Sequence, residues 1–297
     1  MPREREEAVG DKAARVMWER YEPVHDLIYF APEAREAADG LGMRGFWMGY
    51  FALRAAPLGA VPACVVTSSF YVFHPARVAR ALPDAWRYAT PAEALVAREQ
   101  AMDAAMTRLF GADVIASPEL AEAADLAWEA ATAANTAGRV LAAANQALDR
   151  PERPHVRLWQ ALTTLREHRG DGHFAVLVSL GIGPVEAMVL KAAADEGDAR
   201  LLRETRRWDE SAWQAAEDAL RELGWLDKDG ALTPTGAAGR RAVEARTDQA
   251  AEQPWAALGA DATERLADLL EPLARTVRES GLLPSGNPVG LARTAGR

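Results

Sequence analysis

The stretch that decides the fold lies near the C-terminus, residues 219–251: ALRELGWLDKDGALTPTGAAGRRAVEARTDQAA. It opens on the end of a helix, and Gly224 is the residue type that closes one. Leu226 and Leu232 then flank Asp229-Gly230, a tight-hairpin signal between two very short apolar pieces. Thr233-Pro234 restarts a helix, with a capping hydroxyl followed by proline at the first helical position. Working backwards, Asp209 caps ESAWQAAEDALREL, and Gly183-Pro184 opens VEAMVLKAAADEG. Asp171 is expected to cap a short helix to about Leu180, and the helix after Thr233 to run to about Gln253. Three helices, a small hairpin and a long helix is the order of a winged helix-turn-helix.

The leucine-rich helix, its glycine, the Asp-Gly hairpin and Leu232-Thr233-x-x-Gly236 resemble the end of the recognition helix, the wing and the following helix of MarR-like winged-helix proteins. That resemblance spans about a third of the chain. More widely, EPVHDLIYFAPEAR, RAAPLGAV, LREHRGDGH and WAALG make nearly the whole sequence similar to an actinobacterial helix-turn-helix family, a likeness of fold more than of activity. It implies a mainly α protein, with DNA and a small regulatory ligand as the partners to weigh.

Outside the quoted stretch, apolar residues recur at three- and four-residue spacing, and period-two runs of β-branched residues are nearly absent. Ser117-Pro118 starts a helix read as continuing to Leu148. The run DRPERP, 149–154, with two prolines and four charges, is the expected boundary. The expected units are therefore a helical N-terminal domain (1–148), a winged helix-turn-helix domain (155–282) and a disordered tail (283–297). Leu58-Gly59, Pro62 and Trp86 recur as Leu180-Gly181, Pro184 and Trp208 at the same offsets, so the first half reads as a degenerate helix-turn-helix that lost its wing. One chain would then mimic a two-fold dimer. A monomer of that kind or a homodimer is expected.

The 297 residues are 49% hydrophobic and 26% charged, which excludes wholesale disorder. A single cysteine, Cys64, makes neither an intrachain disulfide nor a multi-thiolate metal site, and in its apolar surroundings it reads as inert. The opening residues MPREREEAVGDKAAR lack the apolar stretch of a secretory signal, so a cytoplasmic protein is expected. Residues 55–73 are uncharged but contain two prolines and Thr67-Ser68-Ser69, and read as core, with no membrane partner. No metal and no cofactor is expected.

The net charge of −9 repels polyphosphate unless the basic groups gather on one face. From Glu204 to Gly230 eight acids face four bases, and the hairpin adds only Lys228, so DNA binding reads as weakened or lost. Arg240-Arg241 is the nearest other basic pair.

Chemistry concentrates elsewhere. Glu22 and His25 stand three apart, on one helical face if the helix survives Pro23, as an acid–base pair requires. The octet Arg166-Glu167-His168-Arg169-Gly170-Asp171-Gly172-His173 reads as a helix end, a turn and a new start suited to an anion. Trp47, Tyr50, Arg54, Tyr71 and His74 lie among aromatics and glycines able to line an apolar pocket. The expected function is binding of a small organic molecule between the halves by Glu22, His25, Trp47, Tyr50, Arg54, Tyr71, His74, His168, Arg169 and His173. The alternatives are a MarR-like ligand-responsive regulator and a cofactor-free enzyme of specialised metabolism using Glu22 with His25 or His173. For Glu22 and His25 the plainer reading is a helix-start cap beside an ordinary histidine; for the octet, a charged corner; for the aromatics, core.

Overall fold

The computed structural model describes residues 3–283, with side chains from residue 13 onward. The protein is mainly helical, and the described residues form no sheet. The chain opens with α1 (Arg3–His25), α2 (Leu27–Phe30), α3 (Pro32–Gly40) and α4 (Gly45–Ala55). Next come α5 (Ala63–Ser69), α6 (Pro75–Ala81), α7 (Pro91–Phe110), α8 (Ala112–Ile115), α9 (Pro118–Ala133) and α10 (Val140–Gln146). Then follow α11 (Pro154–Ser179), α12 (Pro184–Ala193), α13 (Ala199–Arg206) and α14 (Glu210–Glu222), and finally α15 (Pro234–Ala250), α16 (Gln253–Leu258) and α17 (Ala260–Glu279).

Most starts are written locally. Ser117 accepts from Leu120 N, Asp209 from Ala212 N and Thr233 from Gly236 N, each satisfying a donor the first turn leaves open. Thr90 and Glu93 close a reciprocal capping box at α7. Around Asp227–Gly230 the chain makes one isolated antiparallel bridge, Leu226 to Leu232, with Asp227 N donating to Ala231 O at 2.9 Å.

The axis of the molecule is α11, buried on every face from His155 through Leu165. Against it packs α9, whose Ala123, Ala124, Ala127 and Ala130 are fully buried and let the two backbones approach closely. One core joins Met17, Tyr21 and Val24 of α1, Met102 and Met106 of α7, Leu158 and Trp159 of α11, and Trp255, Leu266 and Leu270 of α16 and α17. It thus draws on both sides of the 149–154 stretch, of which 149–153 are a surface loop and Pro154 opens α11. A second core surrounds Phe51, Phe70, Phe73 and Leu82, and a third joins α12 to α15 through Val189, Leu202, Trp213, Leu220 and Val243.

Several expectations are corrected. The helix begun at Ser117 stops at Ala133, because Asn135 Oδ1 accepts from Ala137 N and Gly138 takes φ +73°, a turn ahead of α10. The octet is no turn: α11 runs straight through Gly170 and Gly172. Gly172 is there for close packing, since a Cβ on it would collide with the Arg139 guanidinium, which bonds to His168 O and Ala250 O. Asp171 caps no helix of its own; its Oδ2 accepts from Ala142 N at 3.0 Å in the first turn of α10. The helix opened at Pro184 stops at Ala193, leaving room for α13, which Asp198 caps through Leu201 N and which sequence reading missed. Cys64 is exposed, because α5 turns Val66 and Ser69 inward and the thiol outward. Among the described residues no single helix is long and apolar enough to cross a membrane. Residues 284–297 of the expected disordered tail lie outside the described residues; Leu283 packs on the first core.

The stretch that opened the reading carries a sharp test. A Cβ on Gly236 would fall inside the Trp225 carbonyl oxygen, a backbone atom that cannot step aside, and one on Gly239 would meet the Trp225 ring at 2.5 Å. Gly236→Ala is expected to cost about 1–3 kcal/mol by overpacking. A urea midpoint lowered at constant slope is the confirming result; an unchanged midpoint overturns this reading of the packing.

Candidate functional site

α1 continues through Pro23 to His25, and Glu22 and His25 both turn inward toward α11. They do not meet as an acid–base pair. Glu22 Oε1 accepts from Arg166 Nε at 3.4 Å. His25 instead sits in a relay. Thr163 Oγ1 donates to the Trp159 carbonyl at 2.9 Å, so it accepts from His25 Nδ1–H at 3.1 Å. That leaves His25 Nε2 to accept from Tyr29 OH, at 3.1 Å. Burial, with Arg166 close by, holds the imidazole well below its usual range, so it stays neutral.

Beside this relay lies an ion network. Glu167, 1% exposed, accepts from Arg54 Nε and Nη2 at 3.1 Å each and from Arg166 Nη1 at 3.1 Å. Arg54 also donates to Tyr50 OH at 3.1 Å and lies over the Phe70 ring. Burial would raise the Glu167 carboxyl, but Arg54 and Arg166 outweigh it and draw it down to about 2. Asp26, fully buried with neither carboxylate oxygen hydrogen-bonded, is pushed the other way by burial and by Glu22.

These groups border a cavity of about 200 Å³ between α2, α3, α4, α7 and α11. Its wall is aromatic, with Tyr29, Phe30, Phe46, Tyr50 and Trp159, and its polar groups are His25, Arg54, Arg98, Asn145, Thr163 and Glu167, with the exposed Arg35 also in the lining. Of the residues predicted from sequence it gathers His25, Tyr50 and Arg54. Trp47 lies against Arg77 and Phe73 instead. Tyr71 OH donates to Ile182 O at 2.6 Å, and His74 caps α6 through Ala76 N while resting edge-on against Trp208. His168 Nε2–H donates to Asn135 O at 3.2 Å, Arg169 pairs with Asp248 at 2.7 Å, and His173 Nδ1 lies 2.9 Å from Thr247 Oγ1. Those three are not among the cavity's lining residues. Sequence reading passed over Arg98, Trp159 and Thr163, and held Glu167 only as a member of the octet, not as a residue of the pocket. The signal for Arg98 was available, since it interrupts the apolar stripe Ala94, Ala101, Met102 and Ala105 of α7, all buried. No group of three or more His, Cys, Asp or Glu among the described residues is placed to hold a metal ion.

The surface of α14 and the hairpin is acidic. Arg221 is tied to Glu217 and Asp218, and Lys228 to Asp229. Arg240 is paired with Glu196 at 2.7 Å. Beside the end of α13, by contrast, Arg77, Arg80 and Arg207 have no carboxylate ion pair among the described residues. Arg77 donates to Glu204 O and Arg207 to Ala76 O, and burial together with the charges of Arg207 and Arg80 lowers the Arg77 pKa.

No curated protein and no solved structure matches the sequence. A family model described as a helix-turn-helix family matches residues 14–284, nearly the whole of what the structure describes. That match takes in the capped helices, the Asp-Gly turn and the cavity alike, and by it the chain belongs to a helix-turn-helix family.

Proposed function

We propose that this protein binds a small organic molecule in the cavity beside α11, and that its reading of DNA is weakened. The observation that carries this is the cavity itself: an aromatic wall with a few fixed polar groups, next to a relay and an ion network that hold those groups in place. On this reading α12, α13, α14, the 226–232 hairpin and α15 are a MarR-like winged helix, within the proposed unit 155–282. The succession α5, α6, α7 ahead of Gly111 mirrors α12, α13, α14 ahead of Gly224, which supports a pseudo-duplicated chain. The acids of α14, with its one arginine already paired, favour loss of duplex binding.

A second reading, a ligand-responsive regulator, is favoured by family membership and by the unpaired Arg77, Arg80 and Arg207 beside α13. The two separate in one gel shift at low salt against the protein's own upstream region. On the first reading the duplex is not retarded, while a small aromatic ligand raises the melting temperature. Retardation that Arg80→Glu with Arg207→Glu abolishes would replace it with the regulator.

A further inference from the structure

The charges around the cavity do not balance. Arg54 and Arg166 are matched by Glu167 and Glu22, two against two. His25 is neutral, and Asp26 is pushed toward its neutral form. Arg98 remains. It is 4% exposed and lines the cavity, yet its bonds go to neutral groups: Nη1 to Leu53 O at 3.4 Å and Nη2 to Gln160 Oε1 at 2.9 Å, with the guanidinium over the Trp159 ring. The other two buried arginines among the described residues, Arg157 and Arg169, each pair with an aspartate. Burial lowers the Arg98 pKa only to about 10, so at neutral pH the cation persists. A buried charge without a counterion is costly, and whatever supplies one is favoured by that amount.

We infer that the ligand is a small planar monocarboxylate, a one-ring aromatic acid, whose carboxylate pairs with Arg98 while its ring lies against the aromatic wall; this rests on the binding reading above. The single unmatched charge selects a monoanion. A phosphate monoester, carrying about −1.5 to −2 at pH 7, would leave excess negative charge beside an aromatic wall that holds one unmatched cation. The guanidinium fork suits a carboxylate in a bidentate pair. Size sets the ring count: an apolar cavity of about 150 Å³ holds benzene, and this one is about 200 Å³. Arg35, the remaining arginine at the cavity, is exposed and already bonded to Asp39.

The test compares benzoate with benzamide, near-isosteric and neutral, by calorimetry and thermal shift on the full chain at pH 7. Benzoate is expected to bind at least about tenfold more tightly, as a buried charge pair implies. Arg98→Gln should erase that preference, and Arg35→Gln should keep it. Equal binding of the two probes, or a preference that survives Arg98→Gln, overturns the carboxylate assignment and leaves the small-molecule reading standing. If benzoate, benzamide and toluene all fail to bind, the small-molecule reading falls and takes this inference with it. Should Arg98→Gln fail to fold, the comparison of probes on the unaltered protein decides alone.

Discussion

Replacing Glu167 with leucine is expected to cost about 3–5 kcal/mol, the largest loss any single polar change here should produce. Its two oxygens take three guanidinium donors, two from Arg54 and one from Arg166, and nothing else beside the cavity offers Arg54 a carboxylate. With leucine there, Arg54 keeps only Tyr50 and the face of Phe70, and a buried cation stands uncompensated. The cost is one of imbalance rather than of lost attraction, and that distinction is measurable. Removing the cation as well, in Arg54→Met with Glu167→Leu, restores the balance, because Arg166 still has Glu22. The double variant should therefore recover most of the loss and unfold within about 1–2 kcal/mol of the unaltered protein. Urea denaturation followed by circular dichroism decides it. A double variant as unstable as the single one, or a single variant losing under about 1 kcal/mol, would show that charge balance does not hold this seam together.

What was legible in the sequence is what neighbours along the chain determine. Ser117, Asp209 and Thr233 each cap within three residues, and the Asp-Gly turn brings Leu226 to Leu232. Such signals need no partner from elsewhere. The octet failed because its glycines answer to a distant residue: Gly172 admits Arg139 from the 134–139 turn, and a glycine kept for approach looks the same as one kept for a turn. Its histidines then separate by geometry. Five residues on an unbroken helix turn through roughly 140° net, so His168 meets Asn135 and His173 meets Thr247 on different sides of α11. Glu22 and His25, three apart, do share a side as expected, but the cations and hydroxyls of α11 claim them separately. Arg98 could be seen as an intruder in an apolar stripe. That it would line a cavity with no carboxylate bonded to it was decided by α4 and α11, which no local pattern reports.

Acid should act on this helix with opposite signs at two positions three residues apart. His168 is 2% exposed, and burial, reinforced by Arg139 against a bond to the Asn135 carbonyl, lowers its pKa from the usual 6.5 to about 4. A folded value below the unfolded one means stability fully present above pH 6.5 and lost as pH falls through 4, since the unfolded chain takes the proton first. By pH 5 the loss attributable to His168 is about 2 kcal/mol. His168→Gln keeps an N–H for Asn135 but cannot titrate, so its stability relative to the unaltered protein should rise by about 2 kcal/mol between pH 7.5 and 5. Asp171 runs the other way: burial, with Glu167 adding, raises it to about 6 from 3.8 against the bond from Ala142 N. Its contribution is whole below pH 3.8 and is lost as pH rises through 6. Asp171→Asn retains an acceptor for Ala142 N, so it should gain on the unaltered protein by about 1 kcal/mol from pH 5 to pH 8. Denaturant midpoints across pH for the three proteins test both slopes at once. If the His168→Gln curve stays parallel to that of the unaltered protein from 7.5 to 5, His168 is not held neutral in the native state, and α11 is more open to water along that side than its packing implies.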